Sequence, residues 1–280
     1  MAKVEPRKYR VAVLELFMTA MSKAKHPGAE NVKQALLSSD SEGLLDVRLF
    51  SVANLLRGGL KTFNVLVVPG GSSGQQAMEL GPEGRGLIAE WVRDGNGYVG
   101  ICAGAFLALE GYCPKRSIGL LRASALSDWE RGHHRTLMSL TEAGAKLLNA
   151  PALSNCTVRY NNGPCIIPYP EEEKPAGESK SEEPKEESKD EGPKRVTEVP
   201  TILATFASGV TPSDEESVGC GAAACGNYGL GRVFVFSAHL ESTPKDKDSL
   251  SKTSAPNADL QACVRRAVLW TCSALDDDPN

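Results

Sequence analysis

The sequence has no excess of positive charge, few aromatic residues and no long uninterrupted apolar run. Its 31 Lys and Arg stand against 35 Asp and Glu, a formal net charge of −4. It therefore lacks the cationic footprint with which proteins hold nucleic acid or an anionic membrane surface. No apolar stretch approaches the roughly 20 residues that cross a bilayer as a helix. The start, Met1 to Arg10, is charged and lacks the apolar core of a secretory signal. These features predict a soluble, cytoplasmic protein with neither nucleic acid nor membrane among its partners.

Metal-ligating patterns are missing too. The 8 cysteines are scattered and no Cys-x-x-Cys occurs; Cys220 and Cys225 have no His beside them, and the chain holds only 4 His. The cysteines read as reduced thiols, and Cys113, Cys156, Cys165, Cys263 and Cys272 as small packing residues. No metal and no organic cofactor is expected.

What is present is a succession of short, β-rich apolar runs separated by helical periodicity. Runs at Arg10 to Leu16, Leu45 to Phe50 and Val65 to Val68, with a helix around Val32 to Leu37, have the spacing of parallel strands joined by right-handed crossovers. Amphipathic helices are predicted over Pro82 to Arg93 and Asp259 to Leu275, further strands over Thr157 to Tyr160, Thr201 to Phe206, Ala222 to Tyr228 and Gly231 to Ser237, and a charged loop around His133 and His134. The expected fold is α/β and three-layered: a mostly parallel central sheet with helices on both faces, as one domain over 1–280. Pro170 to Arg195 interrupts it with ten acidic and six basic residues and no aromatic or branched aliphatic one. Such a segment cannot bury enough apolar surface to offset its ordering entropy, so 170–195 is expected to be a disordered acidic, Lys/Glu-rich insert.

Two stretches carry chemistry. Gly100-Ile101-Cys102-Ala103-Gly104 follows the apolar run at Tyr98-Val99 and has the form of a nucleophile elbow, in which flanking glycines let strand and helix pass closely at a sharp bend. The bend would present Cys102 at a helix N-terminus, where unpaired N–H groups favour negative charge on sulfur. Far downstream, His239-Leu240-Glu241 follows another buried run. A cysteine nucleophile needs a base, and the base needs a third group to fix its tautomer. At i and i+2 in an extended segment, the His239 and Glu241 side chains leave the same side, so both roles can be filled. Pro69-Gly70-Gly71 adds a second glycine turn, at the end of the Val65 to Val68 strand. The N–H groups of Gly71 and Ala103 form a natural oxyanion pair, worth on the order of 3 kcal/mol of barrier per donor. Gly70, Ser72, Ser73 and Gln75 follow as weaker substrate-contact candidates.

In that order, Pro69-Gly70-Gly71, Gly100-Ile101-Cys102-Ala103-Gly104 and His239-x-Glu241 resemble the class I glutamine amidotransferase-like superfamily. Within it the chain is most similar to the N-terminal domain of eukaryotic biotin protein ligases, in a stand-alone form. Val67 to Leu109, including Gly81-Pro82-Glu83-Gly84-Arg85, carries this similarity, as do Tyr160-Asn161-Asn162-Gly163-Pro164 and Arg265 to Trp270. The resemblance implies a flavodoxin-like, amidotransferase-like fold, the same oxyanion pair and an association with biotin metabolism. Two departures stand out. Glutamine-hydrolysing members usually carry Gln four residues after the nucleophile, where this chain has Phe106, and read His-Pro-Glu where it has His239-Leu240-Glu241.

The leading expectation is a Cys-His-Glu amide hydrolase or amidotransferase acting on a small-molecule amide, with glutamine in doubt because of Phe106. If ammonia is passed onward, a synthase or ligase partner is needed in trans. A non-catalytic binding or regulatory module on the same scaffold is the alternative. A redox sensor using Cys102 alone is a weaker one, which leaves His239 and Glu241 without a purpose.

Overall fold

The computed structural model describes residues 8–16, 28–113, 115–127, 132–151, 153–169, 198–242 and 257–272; the insert expected over 170–195 lies outside them. The strands are β1 (Tyr9–Glu15), β2 (Leu45–Ser51), β3 (Val65–Val68), β4 (Gly97–Ile101), β5 (Ala123–Ala125), β6 (His133–Leu140), β7 (Cys156–Asn161), β8 (Ile166–Pro168), β9 (Thr201–Phe206), β10 (Gly221–Tyr228) and β11 (Gly231–Phe236). The helices are α1 (Gly28–Ser39), α2 (Val52–Leu56), α3 (Ser73–Arg93), α4 (Ala103–Ala108), α5 (Glu142–Leu147) and α6 (Asn257–Cys272).

The sheet order is β2-β1-β3-β4-β11-β10-β9-β6-β7. From β2 to β11 every neighbour is parallel, as the spacing of the apolar runs implies. Beyond β11 the sheet is antiparallel, so the whole is mixed. The cause is connectivity: β9, β10 and β11 follow one another without an intervening helix, and a chain that reverses at each strand pairs antiparallel. His133 and His134, read from sequence as loop residues, begin β6, where they pair with Asn161 and Tyr160 of β7.

Strand alternation divides the core between the two faces. Val65, Val67, Val99, Ile101, Phe234 and Phe236 pack with Val264 and Val268 of α6 and with α1. Leu66, Val68, Tyr98, Val233 and Val235 pack with Leu80, Ile88 and Val92 of α3. That period of two explains why these strands read as continuous apolar runs: each face has its own helical layer. The helix α3 breaks at Gly81 (φ 63°, ψ 176°), and Pro82 opens its second half, where a missing N–H costs nothing.

Arg265 and Arg266, part of the similarity noted above, clamp α6 to its neighbours. Arg265 donates to Asp40 at 3.1 Å and to Glu42 at 2.7 Å, and Arg266 to the Leu148 carbonyl at 2.8 Å.

Candidate active site

The carboxyl ends of three adjacent strands, β3, β4 and β11, bring the sequence candidates together. Val68 pairs with Gly100 and Phe236 with Ile101, so the next residues, Gly70, Cys102 and the Ser237-Ala238-His239 segment, share one edge of the sheet. Open parallel sheets place their sites at this edge because the strands there diverge into separate turns.

Cys102 sits in the bend between β4 and α4 at φ 52°, ψ −101°, a conformation that non-glycine residues rarely adopt. Its N–H donates to Phe236 O at 2.8 Å, which ties the elbow to β11. The bend requires glycine on both sides. A Cβ at Gly104 would stand 2.1 Å from the Val68 carbonyl oxygen, and one at Gly100 2.5 Å from the Gly104 carbonyl oxygen. Strand, turn and helix therefore cross with backbone touching backbone, and the cysteine side chain is buried to 3% exposure.

His239 is held from both ends. Its backbone N–H donates to Arg159 O of β7 at 2.8 Å, and its Nδ1 lies 2.7 Å from Glu241 Oε1. Both side chains are buried. The carboxylate accepts from Nδ1–H, which assigns the tautomer and leaves Nε2 free of protein hydrogen bonds among the described residues. Glu241 Oε1 also accepts a long bond from Ser242 Oγ, which in turn accepts one from Arg159. Burial acts to lower the His239 pKa, but the Glu241 charge, the bond to Glu241 and the nearby Cys102 sulfur outweigh it and push it up to about 10.

Gly70 packs directly against this pair. A Cβ there would lie 2.4 Å from His239 Cε1, 3.3 Å from Nε2 and 3.4 Å from Cys102 Cβ. A single point in contact with the imidazole edge and the cysteine side chain places the two together, with Nε2 on the cysteine side. In this state the Cys102 thiol donates to Asn161 O at 3.2 Å rather than to Nε2.

The other candidates divide. Gly71 (φ 151°) and Ala103 sit in the turns after β3 and β4, and neither N–H is engaged in a hydrogen bond among the described residues. Ser72 caps α3, its Oγ accepting from Gln75 N–H at 3.4 Å. Ser73 lines a small cleft with Phe106, and Gln75 is half-buried on α3. No group of metal-ligating side chains occurs among the described residues, and none of the described helices is long and apolar enough to cross a membrane.

Three contributors had no assigned role in the sequence. Asn161 supplies the carbonyl that accepts the hydrogen bond of the thiol. Gln76, 2% exposed, donates to Pro69 O at 2.9 Å and braces the glycine turn. Phe106 stacks on Tyr112 with ring centroids 4.3 Å apart. The Tyr160 to Pro164 motif was the available signal for Asn161; Gln76 had none.

The architecture is an α/β fold with a mixed sheet. It is shared with the structure of PurLQS from Thermotoga maritima, at 13% identity and a TM-score of 0.53 over 94% of this chain and 98% of that one. Two structures from Salmonella typhimurium also align: cytoplasmic protein STM1381 of strain LT2 (15% identity, TM-score 0.47, covering 95% and 98% of the two chains) and cytoplasmic protein STM3548 (12%, 0.49, covering 92% and 98%). By sequence, residues 59–112 match the family described as biotin-protein ligase, N terminal. That stretch holds both the Pro69-Gly70-Gly71 turn and the cysteine elbow, so the family match and the motif resemblance fall on the same residues. No curated protein matches the chain.

Proposed function

We propose that the chain is a cysteine-dependent hydrolase or amidotransferase of a small-molecule amide. The observation that carries this reading is the buried 2.7 Å bond from His239 to Glu241, with the free imidazole edge turned to a cysteine held in a left-handed bend. Cys102 reacts as the thiolate of an ion pair with the His239 imidazolium, which holds the proton on Nε2, and its sulfur attacks the amide carbonyl. The carbonyl π electrons move to oxygen, where the Gly71 and Ala103 N–H groups receive the charge. As the tetrahedral centre collapses the C–N bond breaks, and His239 returns the proton to the leaving nitrogen. Water, deprotonated by His239, then cleaves the thioester, releasing the acid and restoring the ion pair. Glu241 orients His239 and stabilises its cationic form. If the released ammonia is used rather than lost, the acceptor site belongs to a synthase or ligase partner.

The test is the alkylation of Cys102 by iodoacetamide, followed by peptide mass spectrometry between pH 5 and 10. Cys102 is expected to react fastest of the eight cysteines, and at least tenfold more slowly in His239→Ala. Equal rates in the two proteins refute the dyad.

A second reading, a binding or regulatory module on this scaffold, is favoured by one specific observation: the thiol rests on Asn161 O rather than on His239. It predicts slow alkylation that is indifferent to His239.

A further inference from the structure

The cleft beside the elbow is not accounted for by the triad. It has a volume of about 60 Å³ and is lined by Ser73, Gly74, Phe106, Tyr112, Arg116 and Ser117, with Leu107 and Cys113 completing it. The two segments that flank it are those that flank Cys102. Ser73 and Gly74 follow the Gly71 turn, and Phe106 lies one helical turn beyond Cys102, its N–H donating to Cys102 O at 3.1 Å. Phe106 thus places the cleft one helical turn from Cys102.

Its chemistry is lopsided. One wall is the Phe106–Tyr112 pair. The other carries the Arg116 guanidinium, whose Nη1 would stand 3.4 Å from a Cβ on Gly74 and which pairs with no acid among the described residues. Two hydroxyls, of Ser73 and Ser117, complete the polar lining, and none of the lining residues is acidic. A guanidinium presents a planar fork of donors that matches a carboxylate. An ammonium group would meet that same positive charge with no carboxylate to offset it. At about 15 Å³ per water-sized position, the volume admits about four heavy atoms, the size of a carboxylate on a short methylene arm.

We infer that this cleft receives the carboxylate of a short ω-amide that bears no α-ammonium group, with Arg116 as the anion-binding residue and the Phe106–Tyr112 wall covering the methylenes. The inference rests on the amide-hydrolase reading and narrows it to a substrate class. Glutaramate, which is glutamine without its amino group, is the simplest member of that class. Phe106 then has a positive role, as part of the apolar wall of the cleft.

The experiment compares glutaramate, pentanamide and glutamine as substrates by ammonia release. It also measures the binding of glutaramate to Cys102→Ala by calorimetry. A charged hydrogen bond to the carboxylate makes kcat/KM for glutaramate roughly ten- to a hundredfold above that for pentanamide, which lacks it. That ratio falls to near unity in Arg116→Gln and partly returns in Arg116→Lys, while glutamine trails glutaramate. Binding to Cys102→Ala weakens by the same factor when Arg116→Gln is added. The inference is overturned if glutamine equals or exceeds glutaramate, if Arg116→Gln leaves the ratio unmoved, or if glutaramate does not bind Cys102→Ala. Binding through Arg116 without turnover of any of the three amides upholds the cleft and refutes the hydrolase reading, which separates the two failures.

Discussion

Gly70→Ala tests the site where its packing is tightest. The backbone at Gly70 is not left-handed, so alanine is sterically acceptable to the main chain, and the consequence falls on the neighbours. The new methyl would sit 2.4 Å from His239 Cε1, against about 3.5 Å for a relaxed carbon–carbon contact. The ring must retreat by about 1 Å. It has little freedom to do so: Nδ1 is 2.7 Å from Glu241 and the backbone N–H is fixed to Arg159 O. Moving away from Gly70 either compresses the His239–Glu241 pair or turns Nε2 from the sulfur. Displacements of that size in a catalytic group cost about a hundredfold in rate, and the overpacking itself about 1–3 kcal/mol of stability. The assay is the iodoacetamide rate of Cys102 at pH 7, with circular dichroism to establish that the variant is folded. The expected result is a ten- to hundredfold slower reaction in a folded protein. A folded Gly70→Ala protein that alkylates at the wild-type rate refutes the contact between His239 and Cys102 on which the mechanism depends.

Further outcomes follow from the same geometry. Because Glu241 raises the His239 pKa above its ordinary 6.5, their bond stabilises the fold in full below about pH 6.5. That contribution is lost as pH climbs toward 10. Glu241→Gln should bring the imidazole titration, followed by NMR, well down and flatten the alkaline decline in urea-melt stability. Gly86 lies inside α3 with nothing within 4 Å of a Cβ position, so Gly86→Ala should stabilise by about 0.5–1 kcal/mol in a urea melt. In contrast, Gly104→Ala would drive a methyl into the Val68 carbonyl and is expected to abolish soluble expression. Arg265→Met leaves Asp40 without its guanidinium and should cost about 2 kcal/mol, read as a lower Tm; an unchanged Tm refutes the clamp.

The parallel half of the fold and the three-residue core of the site were legible because each rests on a local signal. Apolar runs such as Val65 to Val68 are continuous only when both faces are covered. The glycines around Cys102 mark a backbone crossing, which the structure shows as contacts that no side chain would permit. The antiparallel half was less legible because β6 pairs with β9, on the far side of the 170–195 segment, and because His133, His134 and Arg135 read as loop although they are the exposed end of a strand. Gln76 and the Asn161 carbonyl escaped notice for a different reason. A glutamine on a helix, or a backbone oxygen, has no sequence signature until the turn it serves is seen beside it.

Strain and unpaired polarity meet at the same edge of the sheet. Cys102 and Asn162 hold φ values of 52° and 56°. Gln76 Oε1, Asn162 Oδ1, Ser237 Oγ, His239 Nε2 and Glu241 Oε2 are buried without a hydrogen-bond partner among the described residues. Each such atom costs of the order of 1–3 kcal/mol when dry, and each left-handed non-glycine residue a similar amount. A fold selected for stability alone would remove them, since Ser237→Ala or Gln76→Leu would do so at little cost in volume. Five of the eight such atoms among the described residues gather around the turns after β3, β4 and β11 and the end of β7, which is an argument for function at that edge, independent of any resemblance. It makes one further demand. Ser237→Ala should leave stability equal to or above wild type by urea melt, because it deletes an orphan hydroxyl; a loss of more than 1 kcal/mol would mean that the hydroxyl has a partner, an ordered water in the site, and that the edge is wetter than its burial implies.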